Sequence, residues 1–170
     1  MKKIKVKGII DEDFVNYKLP SMTIMFPKCS FKCGKRLCQN SKIARMADIE
    51  VPLDALVRRY ANNPITKAIV CQGLEPMDSF EDVLDILMWC RLLGCKDDFV
   101  IYTGYDKFEV SEQISQLQHY SNVIVKYGRY LPGQEPHLDE VLGVELASEN
   151  QWAERLHREV GNDRNKLGRW

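Results

Sequence analysis

The stretch at residues 68–102 reads AIVCQGLEPMDSFEDVLDILMWCRLLGCKDDFVIY. It begins with a short apolar run at residues 68–71 and ends with another at residues 99–102, and both runs are typical of buried strands. Between them, apolar residues recur at helical spacing over residues 79–93, and Gly94 can close that helix. Strand, helix and strand in this order predict a βαβ unit, in which the two strands lie parallel.

The same alternation continues on both sides of this unit. A compact apolar run at residues 22–26 predicts a strand, and residues 53–60 have helical spacing. After the unit, residues 109–119 are predicted to form a helix and residues 123–125 a strand. We therefore expect an α/β fold with a mostly parallel sheet, about five strands and three or four helices. The loops after residues 26, 71 and 102 would then meet at the carboxyl edge of the sheet, where ligands collect.

The length of 170 residues fits one domain better than two. Residues 1–20 are predicted to form an N-terminal β extension, with a β pair of residues 3–9 and 14–19 around an acidic turn at residues 11–13. Residues 152–170 are predicted to form a C-terminal helix or tail that is rich in arginine; a solvated helix with a frayed end is favoured over a surface that faces a partner.

The composition excludes several classes of protein. Lys and Arg number 24 and Asp and Glu number 24, so no general attraction to nucleic acid or to an anionic membrane is expected, although a local basic patch remains possible. The apolar runs are too short to span a bilayer. The start, MKKIKVK, predicts a strand with its lysines on the solvent face, not a signal peptide. We expect a cytoplasmic protein whose six cysteines are thiols or ligands rather than disulfides.

Three of these cysteines lie close together in a loop. Cys29, Cys33 and Cys38 follow the predicted strand at residues 22–26, in a segment that has neither helical nor strand periodicity. Soft thiolates suit zinc or an iron–sulfur cluster. Four basic residues surround them and are expected to lower the thiol pKa values: Lys28, Lys32, Lys35 and Arg36.

Three interpretations of this loop stay open on the residues alone. The first is three unrelated free thiols, although free cysteines are more often buried than placed in a polar loop. The second is a structural zinc site, which needs a fourth ligand such as Cys71 or a distant histidine. The third is a [4Fe–4S] cluster with three protein ligands and one open iron. Cys71, Cys90 and Cys95 are predicted to be core or incidental thiols.

Five segments in a fixed order resemble the radical S-adenosylmethionine (radical-SAM) superfamily, and within it the small activating enzymes of the anaerobic (class III) ribonucleotide reductase. They are residues 38–40 (CQN), 72–76 (QGLEP), 102–105 (YTGY), 127–130 (YGRY) and 147–151 (ASENQ). In that family the corresponding segments are a Cys-x-Asn end of the cysteine loop, a Gly-Gly-acidic-Pro turn, a Tyr-Thr-Gly-Tyr stretch, an Asp-Gly-Pro-Phe turn and a Gly-Ser-x-Asn-Gln segment. The resemblance covers about residues 20–155.

The chain departs from the family pattern at three places. The family spacing is Cys-x3-Cys-x2-Cys, whereas four residues separate Cys33 from Cys38 here. Leu74 stands in place of the second glycine of the acidic turn, and Tyr127 in place of an aspartate.

The resemblance implies two cofactors, a [4Fe–4S] cluster and S-adenosylmethionine, and a partial, open (β/α) barrel. Cys29, Cys33 and Cys38 would bind the cluster. Glu75 and the backbone near Gly73 would hold the methionine ammonium, and Lys126 would meet the carboxylate or remain a solvated surface lysine. The implied S-adenosylmethionine contacts are Leu37, Gln39, Gln72, Gly73, Leu74, Glu75, Tyr102, Thr103, Gly104 and Lys126.

The resemblance also implies a reaction and partners. S-Adenosylmethionine would be cleaved reductively to a 5′-deoxyadenosyl radical, with an electron from a flavodoxin or ferredoxin. Because few residues remain for a lid, a large protein substrate is expected to cover the site, such as a reductase that receives a glycyl radical. The alternatives are a radical-SAM enzyme that acts on another peptide or small molecule, and a zinc-stabilised binding module without catalysis.

Overall fold

The computed structural model describes residues 2–34, 36 and 38–157. Ten strands form in these residues: β1 (Lys3–Val6), β2 (Gly8–Asp13), β3 (Ser21–Phe26), β4 (Ile49–Pro52), β5 (Ala68–Gly73), β6 (Asp98–Tyr102), β7 (Val123–Tyr127), β8 (His137–Asp139), β9 (Val144–Leu146) and β10 (Trp152–Arg155). The α-helices are α1 (Ser41–Ala44), α2 (Leu53–Ala61), α3 (Phe80–Leu92) and α4 (Ser111–Leu117). Single-turn 3-10 helices at Pro76–Ser79 and Lys107–Val110 precede α3 and α4.

Six strands form one open sheet in the order β10-β7-β6-β5-β3-β2. The central four are parallel, whereas β2 and β10 pair antiparallel at the two edges. The sheet is therefore mixed and mostly parallel, as the alternation of strands and helices predicted. Two smaller antiparallel pairs, β1 with β4 and β8 with β9, lie outside it.

The larger core lies between one face of the sheet and the helices. Alternate strand residues such as Ile24, Cys71 and Ile101 pack there with apolar residues of α2, α3 and α4. Because the parallel strands follow one another across the sheet in chain order, right-handed crossovers put all three helices on the same face.

The opposite face has a smaller core. Val70, Val100 and Ile124 pack there against Tyr17, from the connection between β2 and β3, and against Leu142 between β8 and β9. Loops and a hairpin cover this face, which leaves its carboxyl end free to form a cavity.

The N-terminal prediction of a β pair between residues 3–9 and 14–19 was wrong. Strand β1 pairs with β4, and the acidic residues 11–13 belong to β2, which pairs with β3. The chain turns only after Asp13, because this buried carboxylate accepts hydrogen bonds from the backbone amides of Val15 and Asn16 and from the Thr23 hydroxyl.

The alternating pattern predicted that all lysines of the first seven residues face solvent. This was wrong for Lys7. Lys7 is 7% exposed, and its ammonium group donates to the carbonyl of Met46 at 2.6 Å and lies 2.8 Å from Asp48 Oδ1. The fold accommodates this buried lysine because its ammonium group donates a hydrogen bond to a carbonyl and forms an ion pair with a carboxylate.

The helix predicted for residues 109–119 is divided into the 3-10 turn and α4, which ends at Leu117. At the C-terminus, residues 152–155 form the edge strand β10 instead of a helix. Ala153 faces the smaller core while Trp152 and Arg155 are exposed, so the pattern here is closer to a strand than to a helix. The rest of the predicted tail, residues 158–170, lies outside the described residues.

Within the described residues, no helix is both long and apolar enough to cross a membrane.

Candidate functional site

A cavity of about 290 Å³ opens at the carboxyl edge of the four parallel strands. The loops after β3, β5, β6 and β7 all contribute to its wall, together with residues of β9 and of the segment before β10. The prediction that the loops after residues 26, 71 and 102 meet at one edge is therefore confirmed.

The turn after β5 requires glycine at residue 73. Gly73 has φ +100°, and a Cβ atom there would lie 2.6 Å from the backbone nitrogen of Phe26. Any other side chain would therefore push apart β3 and β5. Asn40, at the end of the cysteine loop, donates its side-chain amide to the Gly73 carbonyl at 2.6 Å.

Glu75 is the buried carboxylate of the cavity, 6% exposed. Oε1 accepts from the Thr103 hydroxyl at 2.7 Å and from the Met77 amide at 3.1 Å, and Oε2 accepts from the Gly104 amide at 2.8 Å. Burial raises the pKa of Glu75, against the opposing effect of these donors. The turn at residues 72–76 and the stretch at residues 102–105 are thus joined through one side chain.

The beginning of the cysteine loop is held by Asp78, from the 3-10 turn before α3. Its carboxylate accepts from the Ser30 amide at 2.6 Å and from the Tyr105 hydroxyl at 2.7 Å. The Ser30 and Tyr105 hydroxyls also lie 2.9 Å apart. Residues from three different loops therefore form one polar cluster beside Cys29.

The three thiols line the same cavity, and each is free and partly exposed. The expectation that the basic loop lowers their pKa values was wrong for two of them. Burial raises the pKa of Cys29 to about 11 and also raises that of Cys33. Lys32 does not offset this, because its ammonium group lies over the Tyr105 ring and 3.7 Å from Glu109.

Lys126 lies at the end of β7 and is 6% exposed. Its ammonium group donates to the Gly128 carbonyl at 2.8 Å, and burial lowers its pKa to about 8. The alternative of a solvated surface lysine was therefore wrong. Lys126 pairs in register with Tyr102, so both residues stand on the face opposite the helices.

The segments at residues 127–130 and 147–151 pack directly on each other. Gly128 has φ +93°, and a Cβ atom there would lie 2.8 Å from the Asn150 carbonyl oxygen. Asn150 donates its side-chain amide to the Arg129 carbonyl at 2.8 Å, and Gln151 donates to that of Gly128 at 3.2 Å. Two segments that are far apart in sequence thus form one wall of the cavity.

Most of the residues that the resemblance implied for S-adenosylmethionine line this cavity. They are Gln39, Gln72, Gly73, Leu74, Glu75, Tyr102, Thr103, Gly104 and Lys126. The Tyr102 hydroxyl, however, donates to the Asn16 carbonyl at 2.6 Å, so this side chain is engaged with the cover of the smaller core. Leu37 lies outside the described residues.

Sequence analysis missed three polar residues of the site: Ser30, Asp78 and Arg129. Arg129 pairs with Glu109 at 2.9 Å and lies over the Tyr105 ring, which Lys32 also approaches. Ser30 lies in the cysteine loop and Arg129 in the segment at residues 127–130, but no role was predicted for either side chain, and neither the position nor the type of Asp78 distinguished it. Their role in the cavity becomes visible only when the fold brings the loops together at one edge of the sheet.

The other cysteines are as predicted. Cys71 and Cys90 are fully buried in the larger core, and Cys95 packs at its border. Cys71 does not line the cavity, because its side chain points to the helical face of the sheet. Within the described residues, no three histidine, cysteine, aspartate or glutamate side chains are grouped closely enough to hold a metal ion.

No protein-family model matches this chain, and no curated protein matches it significantly.

Proposed function

We propose that this protein is a radical-SAM enzyme that generates a 5′-deoxyadenosyl radical at the carboxyl edge of its sheet. One observation carries the proposal. The five segments that resemble this superfamily are spread over residues 38–151, and every one of them contributes residues to the same cavity as the three thiols. A chance resemblance of short motifs gives no reason for such convergence.

The chemistry of the donor set fits an iron–sulfur cluster. Cys29, Cys33 and Cys38 place three soft sulfur donors at one cavity, and each is free and accessible to solvent. Among the described residues they are not grouped closely enough to hold a single metal ion, so the fit is that of the donor type and not of the spacing. Four thiolates are usual where a cluster only carries electrons, so three leave a position for a co-substrate. When bound, such a cluster supplies the electron that cleaves S-adenosylmethionine to methionine and the radical.

The chain offers groups of suitable charge for the methionine end of the co-substrate. Lys126 presents a buried ammonium group to the cavity and can receive the carboxylate. Glu75 and the carbonyl of Gly73 can receive the methionine ammonium, since Glu75 Oε2 accepts only one hydrogen bond within the described residues. Gln39 and Leu37, on the two sides of Cys38, are assigned to the adenosine side.

The arrangement of the sheet supports a finer assignment, a partial and open (β/α) barrel. Its parallel strands follow one another in chain order, and α2, α3 and α4 all pack on one face. The face that would line the inside of a barrel carries the smaller core and, at its carboxyl end, the cavity.

The proposed substrate is a large protein that receives a glycyl radical, as an anaerobic ribonucleotide reductase does, in the cytoplasm. The partly exposed thiols support this, because a reactive primary radical must be shielded from water and a polypeptide placed over the loop would do so. Another peptide or a small molecule is the alternative substrate.

Iron content and electron paramagnetic resonance (EPR) test the proposal. Protein purified without oxygen is expected to be brown, to hold about four irons per chain, and to change its EPR spectrum when S-adenosylmethionine is added. Colourless protein with one tightly bound zinc would contradict it and support the zinc-stabilised module. A glycyl radical on a co-expressed reductase would identify the activase, whereas 5′-deoxyadenosine without such a radical would point to another substrate.

The Cys38→Ala variant tests the ligand set and the four-residue gap before Cys38. We expect it to lose the four-iron cluster, because two thiolates hold a cluster poorly. Cys95→Ala is the matched control, since Cys95 is also partly exposed but does not line the cavity. Normal iron content in Cys38→Ala would mean that the third ligand is another residue.

A further inference from the structure

The end of α3 carries two cysteines that the proposed function does not use. Gly94 has φ +79° and follows the helix in the left-handed conformation. The Cys95 amide donates to the Cys90 carbonyl at 3.0 Å, and the Gly94 amide donates to the Arg91 carbonyl at 3.1 Å. These two hydrogen bonds define a Schellman motif, in which the side chains of the two end residues commonly meet. In this chain the end residues are Cys90 and Cys95.

The environment of the two thiols also places them together. Cys90 is fully buried in the larger core, and Cys95 packs against the same core at its border. Burial, and after it the charge of the Cys95 thiol, raises the pKa of Cys90 to about 12. An interaction between the two thiols requires that they lie close to each other, since it weakens with distance.

The backbone of Cys95 is held on both sides, and the turn that carries it is tied to its surroundings. Besides the bond made by the Cys95 amide, the Arg91 guanidinium donates to the Cys95 carbonyl at 3.0 Å and to that of Ser121 at 2.9 Å. Asp97 accepts a hydrogen bond from the Tyr60 hydroxyl at 2.6 Å, which joins the turn to α2. The Cys95 thiol is therefore kept in place beside the helix.

The two thiols differ in exposure, and this difference sets the order in which they react. Cys95 is half-buried, so a small oxidant can reach its sulfur, whereas Cys90 is fully buried. Cys71 belongs to the same core but is also fully buried, in β5. An accessible thiol with a second thiol beside it matches a cysteine that is oxidised first and a partner that resolves it.

We propose that Cys90 and Cys95 are a reversible oxidation site, which hydrogen peroxide converts to a disulfide. The Cys95 sulfur attacks the O–O bond of the peroxide, takes up one oxygen as a sulfenic acid, and water is released. The Cys90 sulfur then attacks the Cys95 sulfur, which forms the S–S bond and releases a second water. The two thiols together lose two electrons and two protons, and one peroxide is reduced to two waters.

This site lies at the opposite edge of the sheet from the cavity. Cys95 precedes β6 and is at the amino edge, whereas the cavity opens at the carboxyl edge, so the inference does not rest on the proposed function. Burial raises the pKa of both thiols, so the reaction is slow at neutral pH and its selectivity comes from position. The disulfide protects Cys95, since a sulfenic acid without a partner is oxidised further to acids that are not readily reduced.

Peptide mapping after trypsin digestion tests the inference, because trypsin cleaves between the two cysteines. It is expected to release residues 68–91, with Cys71 and Cys90, and residues 92–96, with Cys95. The folded protein is treated with excess hydrogen peroxide, its remaining thiols are blocked with N-ethylmaleimide, and it is digested without reductant. We expect the two peptides to be joined to each other, and dithiothreitol to separate them.

Two variants assign the bond to one of the cysteines in the longer peptide. Cys90→Ala is expected to lose the joined peptides, and Cys71→Ala, a matched change in the same core, to keep them. Fragmentation of the joined peptides from the unaltered protein gives the same assignment, so the test stands even where a core variant does not fold. A bond that maps to Cys71 would overturn the inference.

A third variant separates direct oxidation from exchange with the cavity thiols. With Cys29, Cys33 and Cys38 all replaced by Ala, the joined peptides are expected to form to the same extent, because these thiols lie at the other edge of the sheet. Loss of the joined peptides in this variant would overturn the inference. Peptides of the unaltered protein that stay separate after oxidation would also overturn it, whether Cys95 is then unmodified or converted to a sulfinic or sulfonic acid.

Discussion

Lys126 shows at the scale of one residue how stability and the proposed function oppose each other. The residue is 6% exposed, and within the described residues its ammonium group donates one hydrogen bond, to the carbonyl of Gly128. Burial lowers its pKa from 10.5 to about 8, which corresponds to about 3 kcal/mol of unfavourable folding free energy near neutral pH. A group that destabilises the fold in this way is expected where a ligand needs its charge.

Replacing Lys126 by Met is therefore expected to stabilise the protein and to weaken its binding of S-adenosylmethionine. The free energy of unfolding should rise by about 1 to 3 kcal/mol near neutral pH, because no charge is buried and Gln151 still donates to the Gly128 carbonyl. The gain should shrink as the pH rises from about 8 to 10.5. Over that range the folded form of the unaltered protein has already lost the proton that the unfolded chain still holds.

Urea unfolding at several pH values measures the free energy of unfolding. Equilibrium dialysis of S-adenosylmethionine against the iron-loaded protein measures the affinity of the site for that molecule. Lys126→Arg is the control, since it keeps the charge and should show no stabilisation. We expect Lys126→Met to bind S-adenosylmethionine at least about tenfold more weakly, because a charge-assisted hydrogen bond is lost. A variant that is less stable near neutral pH would mean that the bond to Gly128 outweighs the burial of charge.

At the scale of the elements, the cysteine loop is held at both ends by neighbours that come from other strands. Asp78 holds its beginning through the Ser30 amide and the Tyr105 hydroxyl, and Asn40 holds its end through the Gly73 carbonyl. The described residues between these contacts form turns but no helix or strand, so the position of the loop depends on the contacts.

Removing the Tyr105 hydroxyl or the Asp78 carboxylate should loosen the loop without unfolding the protein. In Tyr105→Phe and Asp78→Asn, we expect alkylation of Cys29 and hydrogen exchange of the Ser30 amide to become about tenfold faster, as the loss of a hydrogen bond to a charged group implies. The melting temperature should change little, because these contacts lie at the rim. Tyr130→Phe is the control, since Tyr130 lines the same cavity and its hydroxyl makes no hydrogen bond within the described residues. Unchanged exchange at Ser30 in both variants would show that other contacts hold the loop.

The central elements could be predicted from the sequence because their periodicity is strong. Strands β3, β5, β6 and β7 and helix α3 lie within about two residues of their predicted ends. The edge strands could not be predicted in the same way. The partner of β1 lies 43 residues or more away, as the pairing of Val6 with Ile49 shows, and β10 was mistaken for a helix because short amphipathic segments suit both structures.

For the site too, the residues that could be predicted were those whose chemistry is visible within a short stretch of sequence. The turn at residues 72–76 and the three cysteines were found because each carries its chemistry within a few residues. Ser30, Asp78 and Arg129 were missed because their role arises only when loops from different strands meet. The pKa values of Cys29 and Cys33 were mispredicted for a related reason: neighbours in sequence supplied positive charge, whereas burial in the fold dominates.

At the scale of the whole molecule, the cavity joins segments from residue 29 to residue 151 at one end of the sheet. A ligand that fills the cavity contacts loops that follow four strands of one sheet, so we expect its binding to be coupled to global unfolding. S-Adenosylmethionine at about a hundredfold excess over its dissociation constant should add about 2.7 kcal/mol to the free energy of unfolding. For a chain of this size that corresponds to a rise in melting temperature of about 5 to 10 °C.

This rise is expected only when the metal site is filled. Differential scanning fluorimetry without oxygen would compare iron-loaded protein, iron-free protein and a variant in which Cys29, Cys33 and Cys38 are all replaced by Ala. We expect the shift in the iron-loaded protein and at most a small one in the other two, because the open iron of the proposed cluster would supply part of the binding. An equal shift in all three would mean that S-adenosylmethionine is held by Lys126 and Glu75 alone. The cavity would then be a binding site for that molecule, and the thiols would have a separate role.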